Sequence, residues 1–199
     1  MELSKMRKVI IFDLGGVLEV HNEIPFLNYI KSKFNLKEDI YPIYKEITYL
    51  RDIDKIDEHE FFKRFSKRIN INISEKEFYD TYYKNYVKQN FNVLNFIKKE
   101  LFGKYELFIF SNNSRIHIRK FKQVTNFEKL FNKCIYSYDI KVKKPDIKFF
   151  KRGLKLIKHS GSECIFFDDQ LKSKENSQKV GIKFIQYKNL NKLKKDLNF

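Results

Sequence analysis

Alanine and tryptophan are absent from this 199-residue chain, and cysteine, methionine, proline and glycine number only two, two, three and six. The two cysteines, Cys134 and Cys164, stand far apart and offer no C-x-x-C spacing for a zinc or redox motif. Each opens an apolar β-like run, so both are expected as buried free thiols in a reducing, cytoplasmic setting. No low-complexity linker and no internal repeat appears. Long apolar runs are missing too: none approaches the ~20 residues of a membrane span, and the N-terminal segment has only Val9 to Phe12 before Asp13 interrupts it. Acidic residues are outnumbered, 25 against 41 Lys and Arg, for a net charge of +16. Such an excess can neutralise nucleic-acid phosphates. The lysines are dispersed, however, and densest only at Lys192, Lys194 and Lys195. The missing alanine and the abundance of Lys, Asn, Ile, Phe and Tyr match the bias of an AT-rich coding sequence. The charge therefore reads as a solvated surface that attracts a small anion, with neither nucleic acid nor membrane as partner.

What is present is organised around Val9-Ile10-Ile11-Phe12-Asp13-Leu14-Gly15-Gly16. A β-branched and aromatic run predicts a buried strand, and the glycines let the backbone turn sharply beside a ligand. Asp13 is thus expected at the carboxyl end of that strand, facing the crevice where open parallel sheets bind their ligands. At 42% apolar content the chain suffices for one substantial core plus a smaller insert.

From Leu18 the period changes from strand to helix. Apolar residues at helical spacing predict helices over Pro25 to Phe34 and Tyr41 to Leu50. Capping boxes at Asp57-x-x-Glu60 and Ser74-x-x-Glu77 open two more, Phe61 to Ile69 and Phe78 to Val87. The aromatics Phe61, Phe62, Phe65, Phe78, Tyr79, Tyr82, Tyr83 and Tyr86 are expected to build a small core there rather than a base-stacking platform. The α/β rhythm then resumes. Helix Val93 to Leu101 precedes strand Tyr105 to Phe110, and helix Ile116 to Gln123 with a short helix at Phe127 to Phe131 leads to strand Cys134 to Tyr138. Helix Ile147 to Ile157, strand Cys164 to Phe167, helix Lys172 to Val180, strand Lys183 to Gln186 and a lysine-rich terminal helix complete the pattern.

Chemistry gathers at the strand tips. Ser111-Asn112-Asn113 brings a hydroxyl and amides to the edge where Asp13 stands, although these residues also simply favour turns. Pro145 keeps Lys144 out of helical geometry, on a loop where it can meet an anion, and Asp146 caps the helix that follows. Asp168 and Asp169, adjacent carboxylates after a buried strand, repel one another and call for a cation. With oxygen ligands and a phosphate partner, that cation is Mg²⁺.

Taken in order, VIIFDLGGVL, LFIFSN, the KPD lysine and IFFDD resemble the four motifs of the haloacid dehalogenase superfamily, over nearly the whole chain. The resemblance implies an α/β fold with a Rossmann-like, parallel five-stranded core sheet. Residues 1–19 and 90–199 would form the catalytic core, and 20–89 a helical cap of subclass I inserted after the first strand. The branch it resembles most holds α-glucose-1-phosphate phosphatase and, more distantly, the phosphatase domain of epoxide hydrolases. Carried over residue by residue, the family chemistry makes Asp13 the nucleophile that forms an aspartyl-phosphate. Mg²⁺ would be held by Asp13, the Gly15 carbonyl and Asp169, with Asp168 in support. Ser111, the Asn112 amide and Lys144 would hold the phosphoryl oxygens.

One departure stands out: where most phosphatases of the superfamily carry a general-acid Asp two residues after the nucleophile, this chain has Gly15. Glu19 and His21 lie close behind and could act in its place through a water, although the plain reading of each is a surface or hairpin residue. The expectation is a Mg²⁺-dependent phosphomonoester hydrolase of a small phosphorylated metabolite such as a sugar 1-phosphate, monomeric or weakly dimeric. A weak or inactive phosphate- or polyanion-binding protein is the alternative, and a halide-releasing enzyme fits least.

Overall fold

The structure, a computed structural model, describes residues 9–21 and 23–199, and the side chains of these apart from His21. The described residues run from β1 (Val9–Phe12) and β2 (Glu19–His21) through α1 (Glu23–Lys33), α2 (Tyr41–Asp52), α3 (Glu58–Arg68) and α4 (Glu75–Tyr86) to β3 (Val87–Gln89). There follow α5 (Phe91–Phe96), β4 (Glu106–Ser111), α6 (Arg115–Val124), β5 (Lys133–Tyr136) and α7 (Ser137–Ile140). The last elements are α8 (Ile147–Ile157), β6 (Cys164–Asp168), α9 (Lys174–Lys179), β7 (Lys183–Gln186) and α10 (Leu190–Asp196).

Among these residues five strands form one parallel sheet in the order β5-β4-β1-β6-β7. Parallel strands need crossovers, and the helices that supply them cover both faces, which is why the central strands read as unbroken apolar runs. Successive side chains alternate across the sheet. Ile10 and Phe12 pack with Val93, Ile118 and Phe121 on one face, whereas Val9 and Ile11 pack with Phe149, Phe150 and Ile157 on the other. In register, Phe12 sits opposite both Ile109 and Phe167. That alignment brings Asp13, Ser111 and Asp168 to one edge.

Helices α1 to α4 surround a separate core in which Phe26, Phe61, Phe65 and Phe78 are buried, with Phe62, Tyr79, Tyr82 and Tyr86 packed around them. Phe26 and Phe78 meet edge to face at 5.0 Å. Tyr83 packs against Tyr79 and Tyr82 and also meets the His117 ring, 5.7 Å away. The antiparallel pair β2–β3 joins this block to the sheet, with Glu19 opposite Gln89 and His21 opposite Val87.

Several local expectations change. The boxes at Asp57 and Ser74 are half-formed: each side chain accepts from the third residue's N–H, but Glu60 and Glu77 turn to Arg64 and Lys33. Strand β5 stops at Tyr136, because the Ser137 hydroxyl accepts from the Asn113 N–H at 3.0 Å and draws the chain into α7. The helix expected over 93–101 is α5 continued by a π-helical turn, Ile97–Leu101. The helix expected from Lys172 starts as a 3₁₀ turn, Leu171–Ser173, before α9. Both cysteines are free, Cys164 buried and Cys134 only half-buried. No helix among the described residues is long and apolar enough to cross a membrane.

Candidate active site

Asp13 follows β1 directly, and its N–H donates to the Phe167 carbonyl at 2.8 Å, so the residue is fixed between two strands. Its Oδ1 accepts from the Leu14 N–H at 2.7 Å, which turns Oδ2 toward Lys144. The Lys144 ammonium lies 2.8 Å from both Asp13 Oδ2 and Asp168 Oδ2. All three side chains are buried. Burial opposes the ammonium, but the two carboxylates outweigh it and hold Lys144 above its ordinary value. Asp13 is pushed up to about 6 by its burial, against the pull of Lys144, with the neighbouring Asp168 and Asp169 charges adding to the rise.

The Asn112 side-chain amide, expected as a hydrogen-bond donor at the strand tip, holds the loop that carries Lys144. Asn112 Nδ2 donates to the Lys144 carbonyl at 2.9 Å, and the Lys144 N–H donates to Asn112 Oδ1 at 2.7 Å. This reciprocal pair ties the tip of β4 to the loop before α8. The Lys144–Pro145 peptide is cis. Ser111 is buried at the end of β4, its hydroxyl 3.5 Å from Asn113 Nδ2.

Asp13, Asp168 and Asp169 place carboxylate oxygens within 4.8 Å of one another. Three hard oxygen donors so close, with one lysine among them, fit a divalent cation of the Mg²⁺ type. Gly16 makes room for this: at φ +75 it is in left-handed geometry, and a Cβ there would collide with the Asp169 carboxylate. Asp168 is further oriented by the Gln170 N–H, 2.7 Å from its Oδ1.

Beside this carboxylate cluster lies a cavity of about 320 Å³. Asp13, Gly15, Ser111, Asn112, Lys144 and Asp168 form its floor, and Glu23, Lys45, Tyr49 and Asp52 reach it from the helical block. The structure thus brings together Asp13, Gly15, Ser111, Asn112, Lys144, Asp168 and Asp169. Glu19 needs correction. It is fully buried in β2, not a surface residue, and its Oε2 lies 2.8 Å from His117 Nε2. The His21 side chain lies outside the described ones.

Residues 10–187 match the family of haloacid dehalogenase-like hydrolases. The chain belongs to that family. No curated protein matches it. Among solved structures it is similar to the HAD family enzyme BT-2542 of Bacteroides thetaiotaomicron, at 24% identity and TM-score 0.81 over 92% of this chain and 95% of that one. The same enzyme is known in complex with magnesium and inorganic phosphate, a structure that matches at 23% identity and TM-score 0.74, covering 92% and 94%. L-2-haloacid dehalogenase from Xanthobacter autotrophicus, with chloropropionic acid covalently bound, matches at 12% and TM-score 0.67, covering 93% and 79%. At such identities the likeness is one of fold, and that fold carries the five-stranded parallel sheet of the haloacid dehalogenase-like hydrolases.

Proposed function

We propose that this haloacid dehalogenase-like hydrolase is a Mg²⁺-dependent phosphatase of small phosphorylated metabolites, of the sugar 1-phosphate kind, working through an aspartyl-phosphate. The observation that carries the reading is the Lys144 ammonium set 2.8 Å from Asp13 in a cavity that also holds Ser111 and Asn112. A nucleophilic carboxylate beside a cation and hydrogen-bond donors suits an entering phosphoryl group. In this reading Asp13, the Gly15 carbonyl and Asp169 hold the metal, with Asp168 in support. When bound, the ion neutralises charge on the phosphoryl oxygens.

Asp13 attacks phosphorus while Ser111, the Asn112 N–H and Lys144 position the non-bridging oxygens. The ester oxygen departs with its electron pair, and water then cleaves the acyl phosphate. Asn112 acts twice, because its side chain also fixes the lysine loop. The helical block serves as a cap of the subclass I type, closing over the cavity and facing the leaving group with Tyr49 and Asp52. Magnesium and phosphate bound to the Bacteroides relative support this reading over halide release, and the free cysteines suit a reducing, cytoplasmic setting.

The test is a panel of phosphomonoesters with and without Mg²⁺. Turnover that needs the ion and disappears in Asp13→Asn is the expected result. No turnover on any member, together with retained phosphate binding, would leave an inactive phosphate-binding protein.

A further inference from the structure

The floor of the cavity answers to a phosphoryl group, whereas its mouth has a different character. Three lysines from separate parts of the chain line it: Lys45 on α2, Lys143 on the loop before Lys144, and Lys172 in the 3₁₀ turn after β6. Lys172 is exposed at the rim; partial burial and the ammoniums of Lys45, Lys143 and Lys144 lower its pKa against the pull of the Asp168 carboxylate, so like charges lie close to one another here.

The carboxylates at the mouth are already engaged. Glu23 Oε2 lies 3.5 Å from Lys45 Nζ. Asp52 pairs with Lys143 and with Arg51. Asp146 Oδ1 accepts from the Lys148 N–H at the start of α8, where a carboxylate offsets the helix dipole. Among the described residues Lys172 makes no ion pair within 4.0 Å. Lys172 thus stands beside two other ammoniums, with Asp168 deeper in the cavity as the carboxylate that acts on it.

We propose that the cavity mouth is a second anion subsite, in which Lys172, flanked by Lys45 and Lys143, binds a carboxylate or phosphate at the far end of the leaving group. The substrate class is then a doubly anionic phosphomonoester, a sugar bisphosphate or a phosphorylated sugar acid. The cavity is small enough that both ends of one such molecule are held at once, at about the lower limit of ligand pockets. This inference rests on the reading that phosphorus is placed at Asp13.

Both can be tested separately. Glucose 1-phosphate, glucose 1,6-bisphosphate and glucuronate 1-phosphate are compared in the wild type and in Lys172→Met, with p-nitrophenyl phosphate as reference and Mg²⁺ throughout. The wild type is expected to prefer a doubly anionic ester by about tenfold in kcat/KM, mainly through KM, as one charged hydrogen bond implies. Lys172→Met brings the ratio close to one, and Lys45→Met moves it in the same direction. Which of the two charged esters wins identifies the anion as phosphate or carboxylate. Equal kcat/KM for charged and neutral esters in the wild type, or a ratio that survives Lys172→Met, overturns the subsite while leaving the phosphatase reading intact. No turnover even of p-nitrophenyl phosphate overturns the phosphatase reading instead. The mouth is then read by thermal shift: the bisphosphate must stabilise the wild type more than the monophosphate does, and that difference must vanish in Lys172→Met.

Discussion

Gly15 and Gly16 are neighbours that constrain the site in different ways. Gly16 is required by space and by backbone: its φ is +75, and the Asp169 carboxylate fills the volume a Cβ would take. Gly16→Ala should cost about 1–2 kcal/mol in backbone strain and push Asp169 off its position. The Mg²⁺ concentration for half-maximal turnover then rises, and thermal melting in chelator falls; an unchanged metal titration would remove Asp169 from the ligand set. Gly15 matters for what it lacks. A general acid that protonates the departing oxygen contributes about 10² to 10⁴ in rate, so without one the enzyme depends on the leaving group's own stability. A sugar 1-phosphate should therefore turn over faster than the 6-phosphate of the same sugar, and Gly15→Asp should narrow the gap. If the wild type shows no such bias, another group supplies the proton. Asp13, Ser111, Lys144, Asp168 and Asp169 were legible in the sequence because each follows an apolar run or precedes a helix. The pairing of the Asn112 side chain with the Lys144 backbone was not, because the position of Lys144 beside β4 is set only by the assembled sheet.

Among the elements, β2 and α6 meet through Glu19 and His117 at the root of the helical block. Burial works against a charged His117, and the Glu19 carboxylate overcomes it and holds the imidazole above its ordinary 6.5. Arg51, Glu58, Tyr82 and Tyr83 face the same ring. A group whose pKa is higher folded than unfolded contributes stability that is complete below about pH 6.5 and is lost as pH rises through the folded value. The melting temperature should thus fall as pH climbs from 6, and His117→Gln should flatten that slope. Glu19→Gln, which leaves one side of a buried pair alone, should cost about 3–5 kcal/mol at the acid end. A slope that persists in His117→Gln would assign it to another group. Neither β2 nor β3 was read from the sequence, since three residues each are too few to show a period of two. The longer α8 was read to the residue, because its apolar stripe and the cap at Asp146 agree.

At the scale of the whole molecule, three apolar clusters divide the work: two on the faces of the sheet, one inside the helical block. Phe78 is buried in the third and touches Phe26, Phe62 and Phe65. Phe78→Ala should cost about 3–5 kcal/mol, and calorimetry should show it as an earlier melting of the helical block, with the sheet's own transition little changed; a uniform shift would mean that block and sheet unfold as one. The helical block and the parallel sheet were both legible because each keeps a single hydrophobic period over many residues. The seam between them was not, for it is built from ion pairs such as Arg115 with Asp54, which no periodicity marks. The strands β2 and β3 give that seam a further meaning. His21 and Val87 stand opposite one another, so the block leaves the sheet and rejoins it at neighbouring points. A segment with adjoining ends is an exchangeable cassette: recombination can lengthen, shrink or replace it without altering the order of a single strand. Glu23, Lys45, Tyr49 and Asp52 of the cavity lining travel on that one cassette, whereas Asp13, Ser111, Lys144 and Asp168 stay with the sheet.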